Sequence, residues 1–112
     1  MRLVVALGVM QPRGFRALFR IFPGTYRALR SARWQDACVA AQIFRRGRLY
    51  YAMSVWEEWG EMRDWARRDG HGAVARLAET QMVRFRNHSW ETDEVPSREE
   101  ARRRWAEIEA AA

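Results

Sequence analysis

Few side chains in this sequence can do chemistry, and their positions restrict what that chemistry would be. His71 stands between Gly70 and Gly72, where one helical pattern breaks and another begins. The positive end of the second helix would disfavour the imidazolium and keep the ring neutral, which suits a general base. The position equally suits a histidine that caps or packs at a helix junction and has no part in catalysis. Arg84, Arg86, His88 and Trp90 alternate along a strand-like stretch and share one face, with Val83 and Phe85 on the other. If the first face lines a pocket, Arg84 and His88 bind a carboxylate or phenolate. If it meets solvent, the arginines keep an edge strand soluble. His71 and His88 lack the local spacing of a metal-binding pair, so no metal site is expected. Cys38 is the single cysteine and reads as a small core residue. No phosphate-cradling glycine loop, serine nucleophile elbow or thiolate motif is present.

These residues need a frame to hold them. A chain of 112 residues forms one domain, which excludes a two-domain nucleotide enzyme. The apolar share of 48%, with six Trp, five Phe and three Tyr, argues against disorder. No apolar run reaches the roughly 20 residues of a membrane helix. The run Leu3 to Met10 is too short, and Pro12 and Arg13 follow it rather than a signal-peptide cleavage site. The expectation is a mature, soluble, cytoplasmic protein with no membrane partner. The net charge of +6 comes from 20 arginines and no lysine, against 14 acidic residues. Lysine serves phosphate contacts as well as arginine does, so its total absence reads as an arginine bias in coding rather than the footprint of a nucleic acid.

The apolar pattern supplies the elements. Leu3 to Val9 is a buried strand. Phe15, Leu18, Phe19 and Phe22 form one helical stripe, read as core, and the helix is expected to break or kink at Pro23 before Tyr26 and Leu29 resume it. A second strand around Cys38 to Phe44, the turn Arg46-Gly47-Arg48 and a third strand Leu49 to Trp56 make a hairpin. A helix over Glu57 to Arg68, a further helical piece with Val74, Leu77 and Ala78, and a fourth strand Met82 to Trp90 complete the order β-α-β-β-α-β, an α+β ferredoxin-like arrangement over residues 1–92. Residues 93–112 are a polar link and a terminal helix, opened by the capping box Ser97-Arg98-Glu99-Glu100 and carrying Ala101, Trp105 and Ile108 on one face. On the third strand Tyr51, Met53 and Val55 oppose Tyr50, Ala52, Ser54 and Trp56, and both sets are largely apolar. One sheet face is therefore expected under the helices and the other against a second copy, in a symmetric homodimer.

The stretches Ala52-Met53-Ser54-Val55-Trp56-Glu57, Met62-Arg63-Asp64-Trp65 and Gly70-His71 resemble the dimeric α+β barrel superfamily. That group holds antibiotic biosynthesis monooxygenases, haem-degrading monooxygenases and the stress-responsive barrel domain that contains olivetolic acid cyclase. The sequence looks most similar to an uncharacterised family within it that has a Ser-Val-Trp-Glu strand end, a helix and then Gly-His. The resemblance covers residues 3–90 in topology and 52–74 in recognisable residues, and it implies a dimeric α+β barrel with an extra C-terminal helix. Trp56 stands where the haem-degrading members have a pocket tryptophan, and by alternation Ser54, Ala52 and Tyr50 share that face. Their proximal histidine falls on Ala75 and their pocket asparagine has no counterpart among Leu3 to Met10. No cofactor is therefore expected, haem being the one group the resemblance leaves open. Trp65 and His71 match the spacing of the cyclase's pocket tyrosine and catalytic histidine, with tryptophan in place of tyrosine. Because an indole only donates, a hydroxyl would have to come from Tyr26 or Tyr50.

The implied function is cofactor-free oxygenation of a small, flat, apolar or aromatic, polyketide-like molecule. His71 would be the base, and Trp56, Trp65, Tyr50, Ser54, Tyr26, Arg84 and His88 the substrate-binding residues. Two alternatives stand beside it: a cyclase or isomerase using the same His71 to take a proton next to a carbonyl, and a non-catalytic small-ligand-binding or stress-response dimer. The aromatic content also suits a base-stacking platform. However, the phenylalanines fall at helical spacing, the tryptophans surround a helix and no RNP-like strand is present, so nucleic acid is not the expected partner.

Overall fold

The computed structural model describes residues 2–70 and 72–112, the side chains of residues 69, 70 and 72–74 excepted. The chain runs β1 (Leu3–Pro12), α1 (Phe15–Arg33), β2 (Cys38–Arg46), β3 (Leu49–Trp56), α2 (Trp59–Trp65), a π-helical segment (Ala66–Gly70), α3 (Gly72–Gln81), β4 (Met82–Thr92) and α4 (Arg98–Ala111). The strands form one antiparallel sheet in the order β2-β3-β1-β4. This is the ferredoxin-like βαββαβ unit, with α4 added. Strand β1 is central because its apolar run can bury both faces, and β2 and β4 are the edges. The β2–β3 turn is made at Gly47, whose φ of 62° is a conformation that glycine adopts without cost.

Helix α1 is continuous through Pro23 and does not break there. Proline removes one hydrogen bond, the one the Phe19 carbonyl would have accepted. Pro23 and Phe19 both lie on the exposed side of the helix, where water can replace it. The buried face of α1 is also not the phenylalanine stripe. It is Ala17, Ile21, Thr25, Ala28, Leu29 and Ala32, while Phe15, Phe19, Phe22 and Tyr26 point outward. The small side chains at positions 17, 28 and 32 let the helix backbone approach the sheet closely, which a row of phenylalanines would prevent.

The second sheet face is closed by the chain itself. Val5, Leu7 and Val9 of β1, with Tyr51, Met53 and Val55 of β3, pack with Trp90 against Ala101 and Trp105 of α4. The capping box starts that helix as the sequence implies: the Glu100 N–H donates to Ser97 Oγ at 3.1 Å and the Ser97 N–H donates to Glu100 Oε1 at 3.2 Å. The expectation that a second copy covers this face is corrected, because a cis-supplied helix with Trp105 and Ile108 already buries it. No helix among the described residues is long and apolar enough to cross a membrane.

Candidate functional site

Between the other sheet face and the helices lies a cleft of about 90 Å³. Its floor is Ala6, Gly8 and Met10 of β1 with Ala52 and Ser54 of β3. Small residues dominate there, and that choice makes the space: larger side chains at these inward positions would fill it. Thr25, Ala28 and Leu29 of α1 form one wall, and Met62, Trp65 and Ala66 form the other. Phe85, Asn87 and Ser89 of β4 complete it on the edge-strand side, where Asn87 and Ser89 are exposed.

Trp65 is the largest group in the wall and is held from two sides. Its Nε1–H donates to the Ala28 carbonyl at 3.1 Å, and its ring tilts against Trp56 at 5.3 Å between centroids. Trp56 is fully buried behind it and is not in the cleft lining. Ser54 supplies the most informative polar atom. The residue is 1% exposed and lines the cleft, and its hydroxyl has no hydrogen-bond partner among the described residues. The hydroxyl opens onto the cleft, where it offers a hydrogen bond to a ligand's polar atom or a water. Thr25, by contrast, is satisfied, donating to the Ile21 carbonyl at 3.2 Å. Gly8 pairs with Asn87 across β1 and β4, and the Asn87 carboxamide lies over it: a Cβ at position 8 would come within 2.5 Å of Asn87 Oδ1.

The structure thus brings Ser54 and Trp65 together at the cleft, with Trp56 as the backing of Trp65. Tyr50 sits beyond Met10, against the Met10–Ile21–Met82 cluster. Tyr26 is on the outer side of α1, stacked on Phe22 at 6.3 Å. Arg84 is exposed and outside the lining. His88 borders the cleft, but its imidazole is engaged on the other side of the sheet, with Glu109 and Trp105 of α4. The alternation Arg84, Arg86, His88, Trp90 therefore turns toward α4, and Phe85, Asn87 and Ser89 turn toward the cleft. Sequence reading missed Asn87 and Ser89. Pairing Trp90 with the apolar set on β1 would have placed them. His71 lies outside the described residues.

Burial raises the Cys38 thiol above its ordinary pKa, with hydrogen bonds to Ala40 and Val55 and the charge of Arg33 opposing, so it stays protonated and is no nucleophile. Among the described residues no free imidazole faces the cleft as an iron ligand for haem, because His88, which borders it, is engaged with Glu109.

No protein-family model matches this sequence, and no curated protein matches it. Solved structures do match its fold. A candidate antibiotic biosynthesis monooxygenase from Deinococcus radiodurans superposes with a TM-score of 0.64 at 11% identity, covering 84% of this chain and 96% of that one. A variant of SnoaB, a cofactor-independent oxygenase from Streptomyces nogalater, gives 0.60 at 15% identity, covering 86% and 96%. A dimeric protein of unknown function and ferredoxin-like fold from Bacteroides fragilis gives 0.61 at 8% identity, covering 80% and 96%. Identities this low speak for architecture alone. The chain has the ferredoxin-like α+β fold of these structures.

Proposed function

We propose that this protein is a small-molecule enzyme of the antibiotic biosynthesis monooxygenase type, oxygenating a flat, mostly apolar molecule without a cofactor. The observation that carries this reading is the apolar cleft with the Ser54 hydroxyl, which has no hydrogen-bond partner among the described residues, beside the anchored ring of Trp65. Apolar walls with a few polar groups are what a small-molecule site needs. His71 is the proposed base. It follows directly on the π-helical segment, whose first residue, Ala66, lines the cleft.

In the proposed reaction His71 removes a proton from an activated CH₂ of the substrate. The resulting carbanion reduces dioxygen, forming a C–O bond and a peroxide anion that takes the proton back from His71. Loss of water then leaves a carbonyl, so one dioxygen is consumed for each carbonyl and water formed. Trp65 holds the ring system, and Ser54 orients an oxygen substituent on it. A homodimer belongs to this reading, by likeness to the dimeric Bacteroides fragilis protein. Because α4 already closes the second sheet face, the pairing surface lies elsewhere.

Oxygen uptake with a panel of aromatic ketones bearing an acidic benzylic C–H, followed by product mass, tests the proposal. Turnover that requires oxygen and is lost in His71→Ala is the expected result. Turnover that continues without oxygen would replace oxygenation with proton-transfer chemistry at the same base.

A further inference from the structure

The outer face of α1 is unexplained by the cleft. Phe15, Phe19, Phe22 and Tyr26 are 83%, 76%, 43% and 52% exposed and fall at i, i+4, i+7 and i+11, one straight rank along the helix. Arg16, Arg20, Arg27 and Arg30 run beside the rank, and among the described residues none of the four forms an ion pair. Helix α1 contains no acidic residue. The charge of the whole chain is divided in the same sense: ten arginines and a single acid, Asp36, precede Glu57, and the other 13 acidic residues begin with Glu57.

We propose that this ridge docks the protein on an anionic lipid surface. Phenylalanine rings at one height along a helix, flanked by unpaired arginines, are the composition of an interfacial segment: the rings enter the acyl boundary and the guanidinium groups meet the headgroup phosphates. The charge excludes the simpler occupant. A second copy seated face to face on the ridge would bring arginines against arginines with no carboxylate on either side. A single-stranded nucleic acid would need free ring faces to stack on. Phe22 and Tyr26 are already stacked on each other. A fluid, negative surface suits exposed rings flanked by unpaired arginines. The same helix presents Thr25, Ala28 and Leu29 to the cleft, and Leu29 also borders Phe22 and Tyr26. The inference rests on the exposed residues alone and stands whether or not the cleft is catalytic.

Co-sedimentation of the full chain with vesicles tests it, comparing phosphatidylcholine alone with phosphatidylcholine mixed with phosphatidylglycerol. The expected result is binding to the mixed vesicles only, weakened by salt. Affinity should fall about tenfold or more in the Phe15→Ser, Phe19→Ser double variant, and likewise in the Arg16→Gln, Arg20→Gln, Arg27→Gln triple variant. These side chains are exposed, so circular dichroism and Tm should stay as in the parent. Failure to bind anionic vesicles overturns the proposal, as does equal binding to neutral ones or undiminished binding by the phenylalanine variant. A dimer that the phenylalanine variant dissolves, without vesicle binding, would assign the ridge to a second copy. Salt-sensitive binding to an oligonucleotide without vesicle binding would assign it to nucleic acid.

Discussion

His88 and Glu109, 21 residues apart, meet at 2.5 Å between Nε2 and Oε2 and tie the last turn of α4 to β4. Arg86 reaches the other carboxylate oxygen at 3.5 Å, and the His88 ring lies 5.7 Å from that of Trp105. The clasp therefore secures the helix that closes the second sheet face.

Its pH dependence follows from the carboxylate. The hydrogen bond from His88 holds the Glu109 carboxyl below its ordinary range; desolvation opposes this, and the charges of His88, Arg86 and Arg84 add to it. An acid whose pKa is depressed on folding stabilises the fold above its unfolded pKa and loses that contribution as pH falls through the folded value. Glu109→Gln should therefore melt below the parent near neutral pH. The gap should close on acidification below about pH 4. A gap in Tm that does not change with pH would rule this account out.

Ser54→Ala removes a hydroxyl with no hydrogen-bond partner among the described residues, so stability should change by less than about 1 kcal/mol. Ligand discrimination should change more. In the parent, 1-naphthol should bind more tightly than naphthalene, and the alanine variant should lose that preference by about tenfold. Fluorescence titration of both ligands against both proteins reads this directly, and an undiminished preference would remove Ser54 from the site.

Two tryptophans should respond differently to the same substitution. Trp65→Phe gives up the bond from the indole N–H to the Ala28 carbonyl together with part of the ring's packing and should cost about 1–3 kcal/mol. Trp105→Phe gives up an indole N–H that has no partner among the described residues, so it should cost less, under about 1.5 kcal/mol. Urea unfolding of the two variants checks the order, and a reversed order would contradict the hydrogen-bond assignment.

Removing residues 97–112 uncovers Val5, Leu7, Val9, Met53 and Val55. The truncated chain should aggregate or unfold at a lower temperature. Trp105→Ala alone should cost about 3–5 kcal/mol. Because α4 and the cleft are on opposite sides of the sheet, naphthol affinity in Trp105→Ala should match the parent's while the protein remains folded. Loss of affinity in the folded variant would show that α4 acts on the site.

The amino-acid order alone determined the strands, the hairpin, the capping box and the face assignment on β3. Each rests on local periodicity or on a side chain bonding within its own turn; alternation separated the two β3 faces, and only the resemblance suggested that the one with Ser54 lies under the helices. What depended on distant segments was decided only by the tertiary structure. The phenylalanine stripe of α1 carries the stronger local signal. The sheet, however, accepts the face with Ala17, Ala28 and Ala32, because a helix settles where its backbone comes nearest. The apolar set on β1 and β3 had to be covered, but whether a partner or α4 covers it depends on where residues 98–111 fold back, and no local pattern encodes that. The facing of His88 was likewise open until β4 paired with β1. With Trp90 drawn onto Val5 and Trp105, strand alternation leaves His88 to Glu109 and gives the cleft to Asn87.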